Sequence, residues 1–119
     1  MRVEHWANAG DQGPAAARAM LGSSDLWQNV PYFFSDQYDI GMEFAGDLAE
    51  AERSIVRGDM SSREFIVFWL AGDHLVAGMN VNVWDVSEPI QTLISKRARI
   101  EDAALADPEV SLAELAASA

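Results

Sequence analysis

The sequence predicts an α+β domain: an antiparallel sheet of about five strands, preceded by one helix and followed by two or three more. Three observations carry this. Residues 4–22 hold apolar side chains at spacings of three and four, Val30 to Val83 hold short aromatic and β-branched runs divided by turns, and the last third returns to helical spacing. At 119 residues the chain is one domain, able to bury roughly two thirds of its unfolded surface without staples.

The first helix is read over Glu4 to Gly22 from Trp6, Ala9, Gly13, Ala17 and Met20, with Gly22-Ser23-Ser24 as its stop. Pro14 cannot donate to Gly10, so a kink or break is expected there. Strands are expected at Pro31–Ser35, Ile40–Phe44, Ser54–Arg57, Phe65–Leu70 and Leu75–Val83. Gly72-Asp73 reads as a tight hairpin, and short links make consecutive strands antiparallel neighbours in a meander. Ser87 is expected to cap a helix with Pro89 in its first turn and Ile90, Leu93 and Ile94 on one face. Ser111 and Glu114 form a capping box for a terminal helix. Trp69 and Trp84 are expected in the core. His74, beside the hairpin, is expected in solvent.

Charge and composition exclude several classes. The chain carries 19 acidic and 8 basic residues, a formal net charge of −11 divided almost evenly between its halves. Such a surface repels phosphate backbones, which argues against nucleic-acid binding. There is no cysteine, so disulfides, zinc-thiolate sites and thiol catalysis are absent. The longest apolar run, Phe65 to Ala71, is too short to cross a bilayer, and no signal-peptide core follows Met1, so a cytoplasmic location is expected.

The chain offers little chemistry of its own. His5 and His74 lack partners at metal-ligand spacing, so no metal site is expected. Gly10-Asp11-Gln12-Gly13 lacks the spacing of a dinucleotide loop, and no serine stands in a nucleophile elbow. No catalytic residue is assigned. Lys96, Arg97 and Arg99 are the local exception: three of the eight basic residues within four positions.

The wording of particular segments goes further. Arg2 to Ala9 (RVEHWANA), Val30 to Asp39 (VPYFFSDQYD), Val56-Arg57-Gly58-Asp59, Val81-Asn82 and Ala104 to Pro108 (ALADP) together closely resemble the C-terminal third of the FAD-dependent NAD(P)H ferredoxin and rubredoxin reductases. These flavoproteins share the glutathione-reductase-like fold and are related to apoptosis-inducing factor. The resemblance covers essentially the whole chain. It implies a C-terminal module without the two nucleotide-binding domains: an excised domain, a truncated frame, or a subunit that docks onto them, inactive alone.

On that resemblance, residues 1–22 form the helix that abuts the FAD domain, and residues 23–119 form the interface domain. Glu4, His5 and Trp6 are implied on the pyrimidine side of the flavin, where the helix N-terminus would stabilise negative charge. Phe34 stands where the family usually has Trp, which keeps an aromatic wall and removes the indole donor. Of Phe33 and Phe34, alternation lets one pack on the sheet. The implied partners are the FAD and NAD(P)H domains and an acidic ferredoxin or rubredoxin, docked on Lys96, Arg97 and Arg99. Those cations would equally complement a helix C-terminus. A stand-alone interaction module remains the alternative. Exposed aromatics on the flavin face lead to an expectation of self-association, with the Gly10–Pro14 break as a hinge.

Overall fold

The structure, a computed structural model, describes residues 2–119. Helix α1 (Trp6–Met20) leads to strands β1 (Tyr32–Gln37), β2 (Ile40–Gly46), β3 (Arg53–Asp59), β4 (Glu64–Ala71) and β5 (His74–Val81), then helices α2 (Ser87–Ser95), α3 (Asp102–Ala106) and α4 (Leu112–Ser118). All five strands form one antiparallel sheet. The α+β class holds, with one helix before the sheet and three after it.

The strand order is β1-β2-β5-β4-β3, so the expected meander is corrected. Strands β3, β4 and β5 do follow one another, but β2 pairs with β5, and the chain after β2 crosses to the far edge. The crossing is anchored on the ends of the strands it passes. Asp47 N donates to Val76 O at 3.1 Å, Glu52 N donates to Leu70 O at 2.9 Å, and Gly72 N donates to Glu52 Oε2 at 3.0 Å. Gly46 opens it at φ +108°, where an added Cβ would lie 2.2 Å from Val76 O. No other residue fits there.

The helices cover one face of this sheet. Ala45, Ile66, Phe68, Leu70 and Leu75 form the core with Ile90 and Leu93 of α2, Leu105 of α3 and Leu112 and Ala116 of α4. Buried Arg57 locks α3 and the following turn onto β3. Its Nε donates to Leu105 O at 2.8 Å, and its Nη2 donates to Ala104 O at 2.9 Å and Val110 O at 3.0 Å. Burial lowers the Arg57 pKa from its ordinary value, with Asp107 opposing the shift.

Several local expectations change. Helix α1 begins at Trp6 and runs unbroken through Pro14, so the expected break and hinge are absent. It ends in a Schellman arrangement: Ser23 N donates to Arg18 O, Gly22 N donates to Ala19 O, and Gly22 is left-handed. The N-cap of α2 is Val86, not Ser87. Ser87 sits in the first turn, where its Oγ accepts from Gln91 Nε2 at 3.1 Å. Ser111 does cap α4, accepting from Glu114 N at 3.3 Å. Trp84 is exposed and lies across Gly41 rather than in the core, and Trp69 is only half-buried. His74 is half-buried instead of free in solvent, because its strand end pairs with Arg99. Among the described residues no helix is long and apolar enough to cross a membrane.

Candidate functional site

The segment before α1 and the edge strand β1 build the candidate site. His5 is the N-cap residue of α1 in extended conformation, without a side-chain cap bond, and the first turn contains no acidic residue. The first amides therefore lack side-chain acceptors, and the positive end of the dipole is left open. Upstream, Asn8 Nδ2 donates to Val3 O at 3.0 Å, and Arg2 meets Glu4 at 2.5 Å. Both ion-pair side chains are largely exposed, so this pair contributes little stability.

The His5 ring stacks on Phe33 with centroids 4.4 Å apart, Phe33 on Phe44 at 5.1 Å, and Phe44 meets Trp69 at 5.9 Å. Trp6 is 85% exposed and Phe34 58%. Alternation along β1 sends Phe33 to the face opposite the helices and Phe34 to the helical side, beyond the reach of α2. The structure brings His5 to edge strand β1 through Phe33, with Glu4 and Trp6 beside it in the chain, and sets His5 and Phe34 on opposite faces of that strand. None of the 15 residues of α1 is buried.

Beside Phe34, a polar network stiffens the edge. Tyr32 OH donates to Glu43 Oε1 at 2.8 Å, and buried Asn80 donates through Nδ2 to Glu43 Oε2 and Val83 O, each at 2.7 Å. Burial, the bond to Glu43 and the charge of Glu43 push the Tyr32 phenol up to about 12. At the other end of β1, Asn82 ties the β1–β2 hairpin to the turn before β4. Its Oδ1 accepts from Gly41 N at 2.8 Å, and its Nδ2 donates to Arg63 O at 3.0 Å and Asp39 O at 3.2 Å. Asp39 also pairs with Arg63. Asn82 has φ +50°, a conformation Asn tolerates better than most residues. That preference was the available signal for its role.

The three cations close to α2 have separate engagements. Lys96 Nζ donates to Ala116 O and Ala119 O, each at 3.1 Å, and so caps α4. Arg99 Nε lies 3.5 Å from Asp73 at the β4–β5 turn. Arg97 is exposed at φ +48° and makes no ion pair or side-chain hydrogen bond with the described residues. Among those residues no group of His, Asp and Glu could hold a metal ion.

The site thus combines exposed aromatics with a helix N-terminus that no side chain caps and, among the described residues, no group that could hold a metal ion. The chain belongs to the reductase C-terminal family, whose model matches residues 32–116. It is 35% identical over 113 residues to the ferredoxin–NAD(+) reductase component of an anthranilate 1,2-dioxygenase system from Burkholderia cepacia, covering 94% of this chain and 28% of that protein. It is 34% identical over all 119 residues to putidaredoxin reductase from Pseudomonas putida, again 28% of that protein. The reductase in a solved covalent putidaredoxin reductase–putidaredoxin complex superposes with a TM-score of 0.91, over 100% of this chain and 28% of that one. A ferredoxin reductase of Rhodopseudomonas palustris gives 0.89 at 26% identity, over 98% and 29%. The chain therefore spans less than a third of the length of the relatives it matches.

Proposed function

We propose that this chain is the C-terminal module of an FAD-dependent NAD(P)H:ferredoxin or rubredoxin reductase, inactive alone, that supplies one wall of the flavin site and a docking surface. The observation that carries this is α1: a helix of 15 residues with none buried and an uncapped N-terminus, on a chain whose relatives are more than three times longer. An isolated helix of this length is marginal in water, and Gly10, Gly13 and Pro14 weaken it further. It makes sense as a surface covered by residues 1–22 meeting an FAD domain, with residues 23–119 as the interface domain.

The residues fit one side of a flavin and not a whole site. The open amides of α1 suit a partial negative charge, and Trp6 and Phe34 are free to wall an aromatic ring system. No glycine-rich loop is present to hold a pyrophosphate. When bound, the flavin would exchange a hydride's two electrons for single electrons; the part of this chain is to orient the ring, exclude water and offer the helix dipole. Lys96, Arg97 and Arg99 are the proposed docking residues for an acidic ferredoxin or rubredoxin, with Arg97 the one left uncommitted. The complex captured with a relative supports an iron-sulfur partner.

The test joins this chain to the nucleotide-binding domains of a family reductase in place of that enzyme's own C-terminal region. The free chain should be colourless and should not oxidise NAD(P)H with added FAD, whereas the joined protein should pass electrons to a ferredoxin. A joined protein that binds flavin and reduces no ferredoxin overturns the reading. The exposed aromatics favour a second reading, a self-associating interaction module, which predicts a concentration-dependent dimer of the free chain in sedimentation.

A further inference from the structure

The buried guanidinium of Arg57 is only partly used. The residue is 7% exposed, and its Nε and Nη2 donate to the carbonyls of Leu105, Ala104 and Val110. Nη1 carries two further N–H donors and has no partner among the described residues. It is not sealed in the core either, since His74 Nδ1 is the one fully buried side-chain atom left unpaired among those residues. Arg57 instead opens on a cleft of about 370 Å3 between the β3–β4 end of the sheet, the chain entering α2 and the turn before α4. Ile66, Val83, Val86, Pro89, Pro108 and Val110 give the cleft apolar walls. Arg57 makes no ion pair with the described residues, and Asp107 acts on it only through its field.

The geometry points to this cleft as a binding site for a small monocarboxylic acid with an apolar body, its carboxylate on Arg57 Nη1 and its body against the valine and proline walls. Charge is the first reason. Three carbonyls satisfy donors of the guanidinium but leave its positive charge without a counter-ion, and a buried charge is ordinarily paired. An arginine cannot escape by losing its proton, so a carboxylate that donors on Nη1 can reach completes the pair in a charge-assisted hydrogen bond. Size is the second. Clefts of roughly 300–1,000 Å3 with apolar walls and a few fixed polar groups are those that hold small molecules, and this one suits a single ring or a short chain. The rim is the third. Glu64 and Asp85 line the cleft and are exposed, so they repel a second negative charge while Arg57 neutralises the first; this selects against phosphate and dicarboxylates. The site contains none of Glu4, His5, Trp6, Phe34, Lys96, Arg97 and Arg99, so it stands or falls apart from the module reading.

Titration of the free chain with benzoate, followed by amide NMR, reads the cleft directly. The amides of Val83, Val86 and Val110 should shift together and saturate, and the Tm should rise with benzoate concentration. Benzamide has the same shape without the charge and should bind about tenfold more weakly, while inorganic phosphate should leave these amides unmoved. Asp85→Asn and Glu64→Gln, both at exposed positions, relieve repulsion at the rim and should each tighten benzoate by about two- to threefold. Because Arg57 also holds α3, the site is blocked at its wall: Val110→Glu sets a carboxylate of the chain itself in the cleft and should abolish binding. Should that variant fail to fold, the gain in Asp85→Asn decides. Benzamide binding as tightly as benzoate, phosphate displacing benzoate, or rim variants without effect each overturns the inference. So do amides that stay unmoved up to the solubility of the benzoate salt, and shifts confined to the surroundings of Lys96, Arg97 and Arg99, which assign the anion to surface charge.

Discussion

The His5 imidazole lies parallel to the Phe33 ring, with centroids 4.4 Å apart and planes inclined by 18°, and this stack is the aromatic contact that joins α1 to the sheet. Replacing Phe33 by Ala should loosen α1 specifically. An aromatic pair contributes roughly 0.5–1.5 kcal/mol, so amide exchange in α1 should quicken by about three- to tenfold while β4 and β5 amides keep their protection.

Tyr32 supplies a pH dependence. Its folded-state pKa, about 12, lies above the unfolded value of about 10, so the folded state holds the proton more tightly. The associated stability is fully present below pH 10 and is lost as the pH rises towards 12. Denaturant midpoints of the wild type should fall across that window. Tyr32→Phe should be flatter there.

Arg57 should be the most sensitive polar position. It donates to three backbone carbonyls, and its guanidinium carbon lies 5.9 Å from the Phe68 ring centroid. Arg57→Met should cost about 3 kcal/mol or more in urea unfolding, since charged hydrogen bonds are worth ~1.5–3 kcal/mol each and the carbonyls are left unpaired. Arg57→Lys should recover little, because an ammonium cannot span three acceptors in a fork.

Lys96 and Arg97 should separate stability from docking. Lys96→Glu sets a carboxylate against the carbonyls of Ala116 and Ala119 and should lower the Tm of the free chain. Arg97→Glu should leave the Tm unchanged and slow electron transfer from the joined protein to an acidic ferredoxin. The slowing should be greatest below 0.1 M salt, where the Debye length exceeds about 10 Å. Reduction of a small neutral acceptor should be unaffected.

Asn82 should behave as a clasp. Asn82→Ala removes three side-chain hydrogen bonds and places Ala at φ +50°. Asn82→Gly removes the same bonds without the backbone penalty, so the difference between the two midpoints, about 1 kcal/mol, isolates the conformational part.

What could be read from the sequence was local. The five strands, the Gly72-Asp73 turn and the Ser111 cap depend on neighbours in the chain, and each stands where periodicity and turn chemistry put it. The pairing of β2 with β5 joins residues 31 to 39 positions apart, and alternation reports which face a side chain takes without reporting which strand lies beside it. Trp84 departs from its expected core position because an aromatic beyond a strand end has no period to place it. At the site, the motif wording brought Glu4, His5, Trp6 and Phe34 to attention, but the stack of His5 on Phe33 and the separation of His5 from Phe34 are tertiary facts. The resemblance at Asn82 carries no role of its own, because its three partners come from distant turns.

The strand order also sets a sequence of events in time. Strands β3, β4 and β5 close through two short turns, whereas the β1–β2 hairpin waits for β5 before it has an edge to join, and α1 waits for β1. Non-local closure comes late because its entropy must be spent before any contact rewards it. Substitutions such as Val67→Ala in β4 should therefore slow refolding, whereas Phe33→Ala should leave the refolding rate unchanged. The end of the domain that carries His5 and Phe33 should be the last to gain amide protection on refolding and the first to lose it, so that this end stays adjustable after the rest of the sheet has set.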